Sequence, residues 1–429
     1  MIIDSIQQIH ELNFTDVFVY PIPRDMRLHN KHNTIIGFVL IDLHTKHCTT
    51  ISNGHPEGVF HTNDISFLKQ ANVYCYNTAL MRYNGYDVQD YIDVDMQYYL
   101  YTNAAYTQDT PSIVSHYMRQ LAQCYRINEL IPLYKHEEFA LEVVDQCWVK
   151  NIQSGLSFYQ SDLLSMFHKI EQNGVAVDRD KFKSRFGNSI SLKDSKCFTQ
   201  YNYYTTTGRP SNRFGGINFA ALNKADDTRE LFVSRYEDGL LVEMDFNSYH
   251  PRLIAQLVGY DFGNDNVYEH LATHYYGTTT PTKDQIESAK EGTFKQLYGG
   301  IQQQYIHIPF FAKTNDMAKY LWNQADTLGY IESPISGRKL MLHNYQDVNM
   351  YVLFNYFIQM YETEHNVLLL GKIFEQLSED IIPVLYTYDS ILFDIPKHRY
   401  ENLQNIMKEN IPNFFPYKLK SGANYKTLV

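Results

Sequence analysis

The organisation of this chain is decided by one stretch, Leu240-Leu-Val-Glu-Met-Asp-Phe-Asn-Ser-Tyr-His-Pro-Arg252. It begins with an apolar run typical of a buried strand, and the carboxylate of Asp245 stands at the end of that run. The apolar spacing from Arg252 to Val258 then predicts a helix. A carboxylate held rigidly between strand and helix suits a metal ligand, although an Asp here can also simply cap the helix.

A second carboxylate lies in the stretch Ile382-Pro-Val-Leu-Tyr-Thr-Tyr-Asp-Ser-Ile-Leu-Phe-Asp-Ile395. The pattern predicts two apolar strands joined by a tight turn, with Asp389 at the tip. Two carboxylates on rigid sheet elements can hold two magnesium ions, which sit about 3.5–4 Å apart and clamp the oxygens of a phosphoryl transfer. By itself, Asp389 is equally compatible with a local Asx-turn.

A helix predicted from Pro281 to Tyr298 lies between these two stretches. Lys290, Phe294 and Tyr298 recur every four residues, so they share one face of that helix. A cation and two aromatic rings on one face suit a triphosphate and a base or sugar. The alternative is a surface lysine beside two core aromatics.

These motifs, taken in order, resemble those of the family A (DNA polymerase I-like) DNA polymerases of a compact, phage-type form. Thr207-Gly208-Arg209 precedes motif A at Asp245, and motif B from Lys290 to Gly299 precedes motif C at Tyr388-Asp389-Ser390. Three further segments resemble conserved parts of that family: Ile170 to Asp178, Ser336-Gly337-Arg338 and Asn355-Tyr-Phe-Ile-Gln359. The resemblance covers roughly the last 260 residues.

The resemblance implies a magnesium-dependent DNA polymerase, with Mn²⁺ as a possible substitute, that adds dNTPs to a primer on template DNA. Its implied metal ligands are the side chains of Asp245 and Asp389 and the backbone carbonyl of Phe246. Lys290 is implied to face the triphosphate and to protonate the leaving pyrophosphate. The implied nucleotide-binding residues are Phe246, His250, Phe294, Tyr298, Arg338 and Lys283. Contacts to the primer-template are implied for Arg209, Asn355 and Gln359.

Two positions depart from the family pattern. His250 stands where the family commonly has a Glu that blocks a ribose 2′-hydroxyl, so sugar selectivity is open. Ile286 stands where the family usually has an Arg one turn before Lys290. Lys283 lies two turns before Lys290 on the same face and is a candidate replacement.

The expected fold class is α/β (α+β) in three parts. Residues 1–150 resemble an RNase H-like 3′-5′ exonuclease domain, with strands near 18–21, 35–41, 48–51 and 73–76 and helices at Val114–Cys124 and Glu138–Trp148. Residues 151–200 are expected to form a connecting helix and a reduced thumb. Residues 201–429 are expected to form a right-hand palm and fingers domain with an antiparallel palm sheet. Periodicity predicts further helices at 155–178, 264–276, 317–329 and 347–377, and a closing strand within 415–425.

Proofreading is not expected from the first domain. An active exonuclease of that type begins with Asp-x-Glu on its first strand, where this chain has Val19 to Ile22 and no acid. Met81 stands where the second motif would carry an Asp, and the third retains only Glu138. Substitute carboxylates are conceivable at Asp25, Asp93 and Asp95.

The net charge of −11 is unusual for a nucleic-acid-binding protein, but net charge does not exclude a basic face. The segment from Arg179 to Arg213 is basic, and its residues Lys181, Lys183, Arg185, Lys193 and Lys196 are candidates for phosphate contacts. A solvated surface is equally compatible with that pattern. Only about 25 residues follow Asp178 where the family places a long thumb, so a processivity or single-strand-binding partner is expected.

The spacing of the cysteines and the length of the apolar runs indicate the cellular compartment of the protein. The five cysteines are scattered with no Cys-x-x-Cys pair, which favours reduced thiols inside a cell. Neither a signal peptide nor an apolar run of membrane-spanning length is recognisable. We therefore expect a cytoplasmic enzyme with no membrane partner, in the host cytoplasm if a phage encodes it.

Three other readings remain open. Asp245-Phe-Asn-Ser-Tyr-His-Pro251 also resembles the D-x-x-S-L-Y-P motif of family B polymerases. An RNA-synthesising primase or polymerase is encouraged by His250. A catalytically inactive nucleic-acid-binding protein is disfavoured, because Asp245, Lys290 and Asp389 are all present.

Overall fold

The computed structural model of this chain describes most of its residues, namely 1–25, 33–88, 90–102, 130–147, 154–190, 192–212, 217–222, 226–263 and 266–429. The described chain divides into two compact units, Met1–Gln160 and Ser161–Val429. The helix expected at Val114–Cys124, and also Trp148 and Arg213, lie outside the described residues. The α/β class expected from the sequence is confirmed.

The first unit is built on a five-stranded mixed sheet in the order β3-β2-β1-β4-β5. Its strands are β1 (Asp16–Pro23), β2 (Ile35–Asp42), β3 (Cys48–Ser52), β4 (Asn72–Cys75) and β5 (Ile92–Asp93). The first three strands pair antiparallel, whereas β4 runs parallel to β1 and β5 runs parallel to β4. These strands include all four that the sequence predicts for this region.

Both faces of this sheet are covered, which explains the nearly continuous apolar run in β1. Phe18 and Tyr20 point into one core, and the alternating Val17 and Val19 point into the other. The helices of this unit are α1 (Ile6–Glu11), α2 (Thr78–Tyr83), α3 (Val94–Thr102) and α4 (Leu133–Cys147). Next along the chain is α5 (Ser154–Asn173).

The second unit contains a four-stranded antiparallel sheet in the order β13-β14-β10-β15. Its strands are β10 (Gly239–Phe246), β13 (Ile382–Thr387), β14 (Ser390–Pro396) and β15 (Tyr417–Gly422). The register sets Asp245 opposite Ser390 on one side and Lys418 on the other. The antiparallel sheet predicted from the two organising stretches is therefore present, with their turns at the same edge.

Most described helices of the second unit pack around one large core. In chain order, the described helices of this unit are α6 (Arg179–Phe186), α7 (Tyr249–Leu257), α8 (Val267–Tyr276), α9 (Lys283–Gly299), α10 (Pro309–Leu328), α11 (Met350–Gln376) and α12 (Tyr400–Asn410). Leu297, Phe311 and Phe357 bring α9, α10 and α11 into this core. Thr282 begins α9 through a capping box with Gln285, which satisfies backbone donors at the start of the helix.

Short strand pairs complete the second unit. They are β6 (Val175–Ala176) with β7 (Lys196–Cys197), β8 (Tyr201–Asn202) with β9 (Ser211–Asn212), and β11 (Tyr330–Glu332) with β12 (Lys339–Met341). Helix α5 ends before Gly174, five residues earlier than the predicted 155–178, because Gly174 has a left-handed φ of +59° that stops the helix. Val175, Phe182 and Cys197 share a core with Leu241 and Leu392 of the sheet. Within the described residues, no helix is both long and apolar enough to cross a membrane.

Candidate active site

A cavity of about 1140 Å³ opens in the second unit beside the ends of β10 and β14. Helices α7, α8, α9 and α11 supply much of the rest of its wall, together with segments around Arg209, Phe219 and Lys418. The charged residues that line it are Arg209, Arg229, Glu243, Asp245, His250, Arg252, Lys290, Glu362, Asp389 and Lys418. The structure thus brings the three predicted catalytic side chains, those of Asp245, Lys290 and Asp389, to one place.

Asp245 is a residue of β10 and does not cap the following helix. The cap position of α7 belongs to Ser248, whose φ of +52° turns the chain sharply from strand to helix. The capping alternative is therefore excluded. The Asp245 side chain retains 31% of its surface, so its carboxylate is accessible from the cavity.

Asp389 stands at the tip of the β13–β14 hairpin. Its carbonyl accepts a hydrogen bond from the Phe246 amide at 3.1 Å, which ties the tip to the end of β10. Asn366 of α11 also holds the tip, because its side-chain amide donates to the Tyr388 carbonyl at 2.9 Å. Partial desolvation raises the pKa of Asp389, and the carboxylates of Asp245 and Glu362 raise it further. The two predicted metal ligands therefore repel each other across one site.

Lys420 supplies a positive charge to this acidic edge, and sequence reasoning missed it. Its ammonium lies 2.8 Å from Asp245 Oδ2 and 3.3 Å from Glu243 Oε1. Burial alone would lower the pKa of Lys420, but its contacts with Asp245 and Glu243 outweigh burial and raise it. The pattern Lys418-x-Lys420 lies in register with Glu243-x-Asp245, a match visible only once strands are paired.

The donor atoms at this edge suit a hard divalent cation. Among the described residues there is no group of three or more His, Cys, Asp or Glu side chains arranged to hold a metal. Asp245 and Asp389 offer oxygen only, and the repulsion that raises the pKa of Asp389 is what a cation would relieve. The residues present therefore fit Mg²⁺ or Mn²⁺, with backbone carbonyls such as that of Phe246 and water as the remaining ligands.

Helix α9 presents Lys290, Phe294 and Tyr298 to the cavity, as their spacing predicts. The two rings are stacked with centroids 5.7 Å apart and are only partly buried. The Lys290 ammonium lies 5.8 Å from the ring centre of Tyr268, another cavity residue. These three side chains are therefore not ordinary core residues. Lys283, the first residue of α9, is exposed and does not line the cavity.

His250 and Tyr298 both line the cavity and contact each other. The Nδ1 atom of His250 is hydrogen bonded to the Tyr298 hydroxyl. Its Nε2 atom lies 2.9 Å from Oε1 of Glu362, whose other oxygen lies 2.9 Å from Arg209 Nε. The guanidinium of Arg209 stacks 3.8 Å over the Tyr388 ring. Glu362 was not predicted, because nothing in its spacing distinguishes it from Glu364 and Glu375 of the same helix.

The predicted primer-template residues Arg209, Asn355 and Gln359 all line the cavity. Gln359 donates to Asn355 Oδ1 at 3.2 Å and accepts from the Thr207 hydroxyl at 3.1 Å. These bonds join the loop around Arg209 to α11. The amide and guanidinium groups therefore form one connected polar wall.

Arg338 does not fit its predicted role as a nucleotide contact. The side chain is 1% exposed and lies outside the cavity wall. Its guanidinium donates to the Thr207 carbonyl at 3.1 Å, so it supports the loop of Arg209 from beneath. A buried guanidinium bound to backbone cannot reach a phosphate in the cavity.

The five basic residues predicted to contact DNA lie apart from the cavity wall. Lys181 and Arg185 project from α6, within 3.8 Å of Asp178 and 3.6 Å of Asp226 respectively. Lys183 and Lys193 are exposed, and Lys196 is half-buried. They form a basic surface around α6 and β7 that is separate from the candidate active site.

In the first unit, buried Tyr20 and Met81 occupy two of the three places where exonuclease acids are expected. Tyr20 is buried against Tyr76 and Phe139, and Met81 lies in the core. Asp93, a possible substitute, is 4% exposed and accepts a hydrogen bond from Thr78 at 2.6 Å. The Glu138 carboxylate pairs with Lys135 at 2.7 Å, and the backbone carbonyl of Asp25 accepts a hydrogen bond from the Asn33 side chain at 2.6 Å.

Comparison with known proteins shows the fold. No family model matches the sequence, and no curated protein matches it. The structure is similar to the solved "POL domain of Pol1 from M. smegmatis complex with DNA primer-template and dNTP", with a TM-score of 0.73 and 13% sequence identity. The match covers 98% of this chain and 97% of that one. This chain therefore has the fold of a polymerase domain.

Proposed function

We propose that this chain is a DNA-directed DNA polymerase of the family A type, which transfers nucleotides from dNTPs to a primer 3′-hydroxyl. The observation that carries the proposal is the convergence of Asp245, Asp389 and Lys290 on one cavity. The fold supports it, because the similar POL domain was solved with primer-template DNA and dNTP. The proposed parts are a degenerate exonuclease-like domain (1–150), a reduced thumb (151–200) and a palm with fingers (201–429).

The chemistry proposed for the acidic edge is a two-metal nucleotidyl transfer. Two bound Mg²⁺ or Mn²⁺ ions would activate the primer hydroxyl and neutralise the pyrophosphate. Asp245, at the end of β10, and Asp389, at the tip of the β13–β14 hairpin, are the proposed ligands that hold that charge in place. Lys420 keeps Asp245 compensated and oriented when the site is otherwise acidic.

Helix α9 is the proposed nucleotide-binding surface. Lys290 places its compact ammonium toward the triphosphate and donates a proton to the leaving group. Phe294 is proposed to pack on the incoming sugar and base, and Tyr298 on the templating side. Lys283 shares that helix face but lies outside the cavity wall, so it is not proposed to contact the triphosphate.

The polar wall is proposed to bind the primer-template. Arg209, Asn355 and Gln359 carry the donors and acceptors that a minor groove requires. Minor-groove acceptors are similar for all base pairs, so such contacts test pair geometry without reading sequence. DNA binding would then depend on correct pairing at the primer end.

Primer extension with deoxynucleotides and, in parallel, ribonucleotides tests the proposal. The expected result is magnesium-dependent extension with dNTPs. A second candidate, an RNA-synthesising enzyme, is favoured by one observation, namely His250 in place of a carboxylate. Preferential use of ribonucleotides would favour that candidate, and no extension with either set would contradict both.

We predict that the protein lacks proofreading. A mismatched primer 3′ end should survive incubation with the Asp245→Asn variant and magnesium, because two of the three expected exonuclease positions carry no acid and are buried. The measurement is shortening of a 3′-mismatched, end-labelled primer over time. Magnesium-dependent shortening that disappears in a Glu138→Gln variant would show that the first unit is an active nuclease.

Low processivity is predicted for the isolated chain. Grip on duplex DNA comes largely from Lys and Arg contacts to phosphates, and those proposed here are Lys181, Lys183, Arg185, Lys193 and Lys196. Product length should be short under a trap that prevents rebinding, and it should shorten further as salt rises. A processivity or single-strand-binding protein is the proposed partner that restores length.

The matched test of that surface compares two double variants. Lys181→Gln with Lys183→Gln should reduce the salt dependence of DNA binding, whereas the exposed pair Lys319→Gln with Lys372→Gln should not. Long products from the protein alone at physiological salt would contradict the reduced thumb and remove the need for a partner.

A further inference from the structure

Glu362 is a buried carboxylate at the centre of the cavity wall. Its side chain is 1% exposed, and its two oxygens are each 2.9 Å from a different cationic or ionisable partner, Arg209 and His250. Burial alone would raise the pKa of Glu362, but His250 and Arg209 outweigh it and lower that pKa. Burying a carboxylate without a partner costs several kcal/mol of stability. The charge of Glu362 is therefore compensated by Arg209 and His250.

The two partners of Glu362 reach different parts of the proposed active site. His250 carries the contact onward to the Tyr298 hydroxyl on α9, the proposed nucleotide-binding helix. Arg209 carries it to the ring of Tyr388, which precedes Asp389 at the hairpin tip. A single carboxylate therefore joins the nucleotide side of the cavity to the primer side.

The contact to His250 also orients its imidazole ring. A carboxylate beside Nε2 favours the proton on that nitrogen, which turns Nδ1 toward the Tyr298 hydroxyl. The imidazole ring of His250, on α7, is thereby held against Tyr298 on α9.

We propose that Glu362 is a positioning residue for sugar selection: it holds His250 against Tyr298, and the fixed imidazole excludes a ribose 2′-hydroxyl from the incoming nucleotide. The proposal rests on the proposed polymerase function. Glu362 acts through His250 and has no direct contact with the nucleotide. A neutral side chain at 362 therefore lets the imidazole turn away and opens the space it fills.

The test measures kcat/KM for a dNTP and for its ribonucleotide in single-nucleotide incorporation. Glu362→Gln should reduce the ratio of the two by about tenfold, a typical coupling between contacting residues. The matched control is Glu364→Gln, since Glu364 is also buried on α11 but pairs with the hydroxyls of Ser333 and Ser336 away from the cavity. The control should leave the ratio unchanged.

A double-variant cycle separates positioning from a general structural effect. His250→Ala should lose the same discrimination as Glu362→Gln, and the double variant should lose no more than either alone. Glu362→Asp keeps the charge and shortens its reach, so it provides a folded variant if the neutral one is unstable, and discrimination should fall in the same direction.

Two outcomes would overturn the inference. One is an unchanged ratio in both Glu362 variants, and the other is additive losses from Glu362→Gln and His250→Ala. Either result, obtained beside normal dNTP extension by the unaltered protein, would leave the proposed polymerase function intact. Absence of extension by the unaltered protein would instead contradict the proposed function, and with it this inference.

Discussion

Asp245→Asn and Asp389→Asn should each reduce primer extension by about 1000-fold or more. Each change removes one anionic ligand for the metals, and metal charge stabilisation is worth several kcal/mol, with a tenfold rate loss for each 1.4 kcal/mol. The measurement is the rate of single-nucleotide incorporation at saturating dNTP and magnesium. Such a loss would place both carboxylates in the reacting machinery.

The same variants should remain folded. Asp389 is repelled by the carboxylates of Asp245 and Glu362, so a neutral Asn at position 389 removes that repulsion. When Asp245 is replaced, Lys420 still pairs with Glu243. The control is Asp347→Asn, an exposed position whose φ of +52° Asn tolerates as well as Asp. Near-normal incorporation by either active-site variant would contradict the assignment of that residue.

The largest stability effect is expected at Asp394, a fully buried residue of β14. Its carboxylate accepts from the Arg235 Nε atom at 2.8 Å and from the Ser234 hydroxyl at 2.5 Å. Arg235 also donates to the Gly174 carbonyl at 2.9 Å, so the pair fastens the turn after α5 to the sheet. Asp394→Ala leaves a largely buried guanidinium unpaired and should cost about 3–5 kcal/mol.

Urea unfolding followed by far-ultraviolet circular dichroism would measure this loss as a lower midpoint for the second unit. The control is Asp227→Ala, which removes an exposed carboxylate from Lys426 and should cost about 0–1 kcal/mol. A loss at Asp394 no greater than that of the control would contradict the proposed role of the buried pair.

Local sequence patterns were sufficient for several elements of the site. Asp245 and Asp389 follow apolar runs that have the length and composition of buried strands, and both runs form strands. Lys290, Phe294 and Tyr298 share a helix face because helical geometry depends only on spacing. These side chains meet in one cavity, as their patterns predicted.

The same sequence patterns could not predict side-chain contacts between residues that are distant in sequence. Glu362 is one of three Glu residues in its helix, and its partners Arg209 and His250 are distant in sequence. Lys420 is recognisable only from the register of β15 against β10. Arg338 has the motif neighbours of a phosphate contact, but its side chain is buried beneath the Thr207 loop. Spacing within a motif does not determine which way a loop side chain points.

Template-directed incorporation of one nucleotide by the unaltered protein tests the central proposal most directly. The substrate is a primed DNA template whose next base is varied, offered each dNTP separately with magnesium. The proposal predicts addition of the complementary dNTP alone, abolished by a chelator and by Asp389→Asn. Addition that ignores the template base, or that persists undiminished in Asp389→Asn, would contradict it.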